Sequence, residues 1–142
     1  MGLPLDDAFT FVGRHNKGVL VTTRRDGRPQ LSNIMYTPGP DYSVRISVTE
    51  GRAKTKNLHR DPHAALHVTR DDFFAYVVLD GEVALSPPAR SMDDPVVEEL
   101  IDMYRLAQGE HPDWGEFRQA MVSEGRVVAT LSASYAYGML PG

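Results

Sequence analysis

Gly18-Val19-Leu20-Val21-Thr22-Thr23-Arg24-Arg25-Asp26-Gly27-Arg28-Pro29-Gln30-Leu31-Ser32-Asn33-Ile34-Met35-Tyr36 reads as two strands folded about a turn. The first six residues are rich in β-branched side chains, and Asp26-Gly27 supplies the pair that a tight hairpin needs. Pro29 to Tyr36 returns as the second strand. A hairpin so early commits the chain to antiparallel pairing, because parallel strands need a long crossover between them.

The flanking segments extend that reading. Tyr42, Val44, Ile46 and Val48 alternate with Ser43, Arg45 and Ser47, which predicts a strand with one apolar face, and Thr37-Pro38-Gly39-Pro40-Asp41 before it reads as a turn. Ala64–Thr69 and Phe73–Ser86 read as further strands, separated by the charged turn Arg70-Asp71-Asp72, and Gly81 marks a bulge inside the longer one. Arg126 to Tyr137 closes the series. Helices fit in three places: around Phe9, Phe11 and Val12 with Asp6 or Asp7 as cap, over Pro95–Gln108, and from Asp113 through Met121. About six strands with little βα alternation favour an antiparallel barrel with covering helices over a doubly wound sheet.

Composition narrows the function classes. The 142 residues are expected to form one domain, residues 1–142, that buries ~68% of its unfolded surface. A net charge of -4 argues against general nucleic-acid binding, so a local basic segment is better matched to a specific anion. With no cysteine, a disulfide framework, a zinc ribbon and a thiol nucleophile are all excluded. The compartment is expected to be cytoplasmic, since the first residues are acidic and no apolar run reaches membrane-spanning length.

That basic segment is Glu50-Gly51-Arg52-Ala53-Lys54-Thr55-Lys56-Asn57-Leu58, which follows a strand and opens a short helix from about Thr55. Helix starts carry unpaired N–H groups and the positive end of the macrodipole, so Arg52, Lys54, Thr55 and Lys56 suit a phosphate. In an extended stretch Arg52, Lys54 and Lys56 would point to one side. The competing reading is a solvated charged helix face, since the glycines of a Walker loop are missing. His59, His63 and His67 recur every four residues, but Pro62 breaks the helix that would align them, and no metal site is expected. Asp71-Asp72 and Asp93-Asp94 read as capping groups, and no Ser-His-Asp signature supports nucleophilic catalysis.

Taken with Gly27-Arg28-Pro29-Gln30-Leu31-Ser32-Asn33 and Arg52-Ala53-Lys54-Thr55-Lys56-Asn57-Leu58, the segments Arg118-Gln119-Ala120-Met121-Val122 and Tyr137-Gly138 resemble the pyridoxamine 5'-phosphate oxidase-like flavin-binding superfamily. The chain looks most like actinobacterial reductases that use the deazaflavin coenzyme F420. The resemblance implies a mainly β, α+β fold: a six-stranded antiparallel split β-barrel of the FMN-binding type. It also implies a homodimer with cofactor sites between protomers and a small-molecule substrate. Residues matching Arg52 and Lys54 would hold the cofactor phosphate, with Ala53 and Thr55 beside them and Lys56 toward the anionic tail. Gln30, Ser32, Asn33 and Ser47 would line the ring and its ribityl chain, and Phe74 and Tyr76 would come from the partner protomer. Phe74 stands where close relatives carry tryptophan. The implied function is hydride transfer from reduced F420 to a small conjugated or aromatic substrate, with no catalytic residue assigned. The alternatives are an FMN enzyme of the pyridoxamine-phosphate-oxidase type and a non-catalytic F420-binding protein.

Overall fold

A computed structural model describes residues 2–141. In chain order the elements are α1 (Leu5–Val12), β1 (Lys17–Thr23), β2 (Pro29–Met35), β3 (Thr37–Gly39), β4 (Ser43–Thr49), α2 (Ala53–Arg60), β5 (His63–Thr69), β6 (Tyr76–Leu85), α3 (Pro95–Gln108), α4 (Trp114–Ser123) and β7 (Arg126–Met139). Every strand pairing is antiparallel, in one curled sheet of order β2-β1-β5-β6-β7-β4-β3. The two ends of the sheet approach each other where β2 touches β4 without pairing to it, which makes a split barrel.

The sheet has seven strands where six were expected. The extra one is β3, hidden in the turn signal Thr37-Pro38-Gly39, and it pairs with Ser43, Val44 and Arg45. Pro38 is tolerated there because β3 lies on the sheet edge, where the missing N–H is not needed by a neighbour. Phe73 and Phe74 also fall outside their expected strand. Arg70 N donates to Ala75 O, Phe73 N to Arg70 O and Phe74 N to Asp72 Oδ1, so the chain is still turning there and β6 begins at Tyr76. Phe73 sits at φ 67° in that turn.

The β1–β2 hairpin closes as its sequence suggests. Gly27 takes φ 86°, a conformation that L side chains rarely adopt, and Arg24 N donates to Arg28 O across the loop. Alternation then decides what is buried. Leu20, Val44, Ile46, Val48, Leu66, Val68, Val77, Leu79, Val127, Ala129 and Leu131 fill the barrel interior, and α1 closes one side of it with Ala8, Phe11 and Val12. At Gly81 the β6–β7 register slips, and a Cβ would run into the Ser132 carbonyl, so only glycine allows that approach.

A second apolar cluster lies on the outer face of the sheet. There Val96, Val97, Leu100, Ile101 and Met103 of α3 pack on Val128 of β7, with Trp114, Phe117 and Met121 of α4 beside them. Rings of Tyr104, His111, Trp114 and Phe117 meet pairwise at centroid distances of 5.1 to 5.7 Å, which ties α3, its following loop and α4 together. No helix among the described residues is long and apolar enough to cross a membrane.

Candidate functional site

The basic segment folds as a helix start directly after β4. Arg52 is the N-cap of α2 with extended backbone, and no side chain caps the helix, so the N–H groups of Ala53, Lys54 and Thr55 lack intrahelical partners. Arg52 N donates to Thr49 O, and the Thr55 hydroxyl donates to the same carbonyl at 2.7 Å, which pins α2 to the end of β4. Thr55 is fully buried and its hydroxyl is engaged, so it anchors the helix start and presents no atom to a ligand as the structure stands.

The helix begins at Ala53, two residues earlier than expected, and this changes the direction of the cations. Lys54 and Lys56 are two positions apart on a helix and therefore point to different sides. Lys54 is half-buried and Lys56 is exposed. Partial burial, reinforced by the neighbouring Arg52 and Arg126 charges, holds the Lys54 ammonium below its ordinary value.

Arg126 is the residue that the one-dimensional reading missed. It opens β7 opposite Thr49, and its outward parity places it beside Ser47, with Nη1 3.5 Å from Ser47 Oγ. Glu124 Oε1 accepts from Arg126 Nε and Nη2 at 3.0 and 2.8 Å, fixing the guanidinium. Three cations from two distant segments thus converge beside a helix start, with Ser47 adjoining. This donor set fits a phosphate: an oxyanion there would meet charge, backbone donors and a hydroxyl at once.

Ser47 and Arg126 also line a cavity of about 410 Å³ between the outer face of β3–β4 and helices α3 and α4. Its walls include Met35, Thr37, Arg45, Leu100, Tyr104 and Phe117. The remaining expected residues are distributed differently. Gln30 and Ser32 pair with Thr22 and Leu20, two core positions, so they lie on the barrel side of β2. Asn33 faces the other way and lines a neighbouring cavity of about 420 Å³ with Lys17, His67 and Thr69, and Met35 borders both cavities. Tyr76 lies on β6 with its ring 5.5 Å from that of His67, and Phe74 is 76% exposed; neither lines the 410 Å³ cavity. Within one chain, then, Arg52, Lys54 and Ser47 come together with Arg126, whereas Gln30, Ser32, Asn33, Phe74 and Tyr76 do not join them.

The three histidines separate as Pro62 implies: His59 is on α2, His63 opens β5 and His67 is four residues along it. His63 Nδ1 lies 2.9 Å from Asp61 Oδ1 and Nε2 lies 3.3 Å from Glu82 Oε1, a surface ion-pair arrangement.

Residues 5–139 match the family model described as pyridoxamine 5'-phosphate oxidase. The chain belongs to the pyridoxamine 5'-phosphate oxidase family. Members of this family bind flavins, and the family includes oxidoreductases. Among solved structures, a conserved hypothetical protein from Mycobacterium tuberculosis is similar at 21% identity with a TM-score of 0.74, over 99% of this chain and 90% of that one. A structure titled F420 reductase is similar at 21% identity with a TM-score of 0.69, over 90% and 94%. The haem storage protein HutZ from Vibrio cholerae has a TM-score of 0.69 at 12% identity, over 96% of each chain. At these identities the likenesses establish the split-barrel fold of this pyridoxamine 5'-phosphate oxidase family member.

Proposed function

We propose that this protein binds the deazaflavin coenzyme F420 and is an oxidoreductase acting on a small conjugated or aromatic substrate. The observation that carries this reading is the convergence of Arg52, Lys54 and Arg126 on the uncapped start of α2, next to Ser47 and an apolar cavity. A reduced deazaflavin, when bound, supplies a hydride. The chain's own part is to hold the phosphate with the Arg52 and Lys54 side chains and the N–H groups of Ala53 and Lys54, while Thr55 fixes the helix start beneath them. Ser47 and Arg126 orient the adjoining chain, and the roof of Leu100, Tyr104 and Phe117 keeps water from the cavity. Lys56, exposed on the next face of α2, is free to meet an anionic tail. Arg60 is not, because its Nη2 already donates to Thr23 O and Asn57 Oδ1.

A homodimer completes the site in this reading. Phe74 and Tyr76 lie apart from the cation cluster within one chain, and in this reading they serve by meeting the cluster of a partner protomer. Exposed Phe73, Phe74, Tyr135, Tyr137 and Met139 provide apolar area for such a contact.

FMN is the second reading, favoured by the family match, because a phosphate monoester suits the same cations. Fluorescence titration separates the two. F420 is expected to bind in the low micromolar range and FMN at least ~10-fold more weakly, a gap of about 1.4 kcal/mol. Equal or reversed affinities refute the deazaflavin reading.

A further inference from the structure

The 410 Å³ cavity has a chemistry that a phosphate-bearing cofactor held at α2 does not use. Its lining contains two arginines, Arg45 and Arg126, and no aspartate or glutamate, in a chain whose net charge is -4. Arg126 is already held by Glu124, but Arg45 is poorly matched. Among the described residues its only ion pair is with Glu99, at the long distance of 3.7 Å, and its Nε is buried without a hydrogen-bond partner. Directly across the β3–β4 pair stands Thr37, 7% exposed, whose hydroxyl is also buried without a partner. Buried polar atoms are nearly always paired because an unpaired one is costly to a fold, so two on adjacent strands beside one cavity are unusual.

We propose that this cavity binds a small aromatic or conjugated carboxylate, its acid group held by Arg45 and Thr37 and its apolar body against Leu100, Met103, Phe117 and Met121. A carboxylate matches the fork of a guanidinium through Nε and one Nη, and the loose contact to Glu99 leaves that fork without a good partner. As the side chains stand, Arg45 Nε and Thr37 Oγ1 are covered, so binding requires the guanidinium to turn away from Glu99. Glu99 is therefore a competitor for Arg45. The apolar wall supplies the remainder: two methionines adapt to the outline of a flat ligand, and Phe117 offers an aromatic face. The volume is within the ~300–1,000 Å³ range of small-molecule pockets.

This names the substrate class of the oxidoreductase proposed above and rests on that reading for turnover, whereas binding of the acid itself requires no cofactor. The test is calorimetric titration of the cofactor-free protein with trans-cinnamate and with its neutral isostere cinnamamide. Cinnamate is expected to bind at least ~10-fold more tightly than the amide. Arg45→Met should remove that preference, Thr37→Val should reduce it, and Glu99→Gln should strengthen cinnamate binding about threefold by releasing Arg45. Circular dichroism melting confirms that each variant is folded. Equal binding of acid and amide overturns the inference, as does binding of neither, or a preference that survives in Arg45→Met. F420 binding without cinnamate binding defeats this inference alone, and the converse defeats only the cofactor reading. Displacement of cinnamate by F420 also counts against it, because acid and cofactor must be held together.

Discussion

The two faces of the same sheet treat polar groups in opposite ways. Inside the barrel and at its α2 end, buried polar atoms find partners: Asn57 Nδ2 donates to Thr22 Oγ1, Arg60 donates to Asn57 Oδ1, Thr55 donates to Thr49 O and Tyr36 donates to Val12 O. Burial pushes the Tyr36 phenol well up, so it remains a donor at any ordinary pH. On the outer face, beneath α3 and α4, Thr37 and Arg45 have unpaired buried atoms, and Arg126, at the edge of that face, is crowded by Lys54 from the start of α2. A region built for stability satisfies its groups internally. One that leaves them wanting is arranged for something that arrives later.

The contrast breaks first if the interior proves soft. Leu66→Ala, at a fully buried position of β5, is expected to cost about 2–5 kcal/mol in urea denaturation, with F420 affinity unchanged while the protein is folded. A loss under ~1 kcal/mol would mean that the barrel is not the stabilising half. Next in size is Asn57→Ala, which takes the donor from buried Thr22 Oγ1 and one of the two acceptors from Arg60 Nη2, and should cost about 1–3 kcal/mol of stability.

Lys54 sharpens the comparison from the other side. Its folded value lies below the ordinary 10.5, so the unfolded chain holds the proton more tightly and the charged group works against folding at neutral pH. That penalty is relieved only as pH rises through the lowered folded value toward 10.5. Lys54→Met is accordingly expected to leave the cofactor-free melting temperature equal or slightly higher at pH 7 and to lose the advantage at high pH. A clear fall in melting temperature would show Lys54 to be a structural residue.

The smallest effect belongs to the exposed His63–Asp61 pair. Its hydrogen bond to Asp61, then the Asp61 charge, raises His63 above its ordinary 6.5. The stabilisation is fully present below that value and is lost as pH rises through the raised folded value. His63→Ala should flatten a shallow decline in melting temperature in that window and leave cofactor affinity alone.

Local pattern made much of this legible. Asp26-Gly27 located the hairpin, alternation over Val44, Ile46 and Val48 gave the core face of β4, and α3 spans Pro95–Gln108 as its apolar spacing predicts. Thr37–Gly39 was misread because an edge strand of three residues, rich in turn formers, has no periodicity of its own. The candidate site was half visible. Arg52 and Lys54 announce themselves through charge density at a helix start, but Arg126 joins them only through the pairing of β4 with β7. That contact spans 79 positions between Ser47 and Arg126, a separation no local motif encodes. The same holds for Arg45, whose outward parity could be read while its missing partner could not.

The most direct test of the phosphate grip is an equilibrium fluorescence titration of F420 against the wild-type chain and Lys54→Ala at neutral pH and moderate salt. Loss of a charge-assisted hydrogen bond predicts weakening by about 1.5–3 kcal/mol, roughly 10- to 150-fold in Kd, with the fold intact. An unchanged Kd would show the cations at the start of α2 to be a solvated helix face and would contradict the cofactor site placed there.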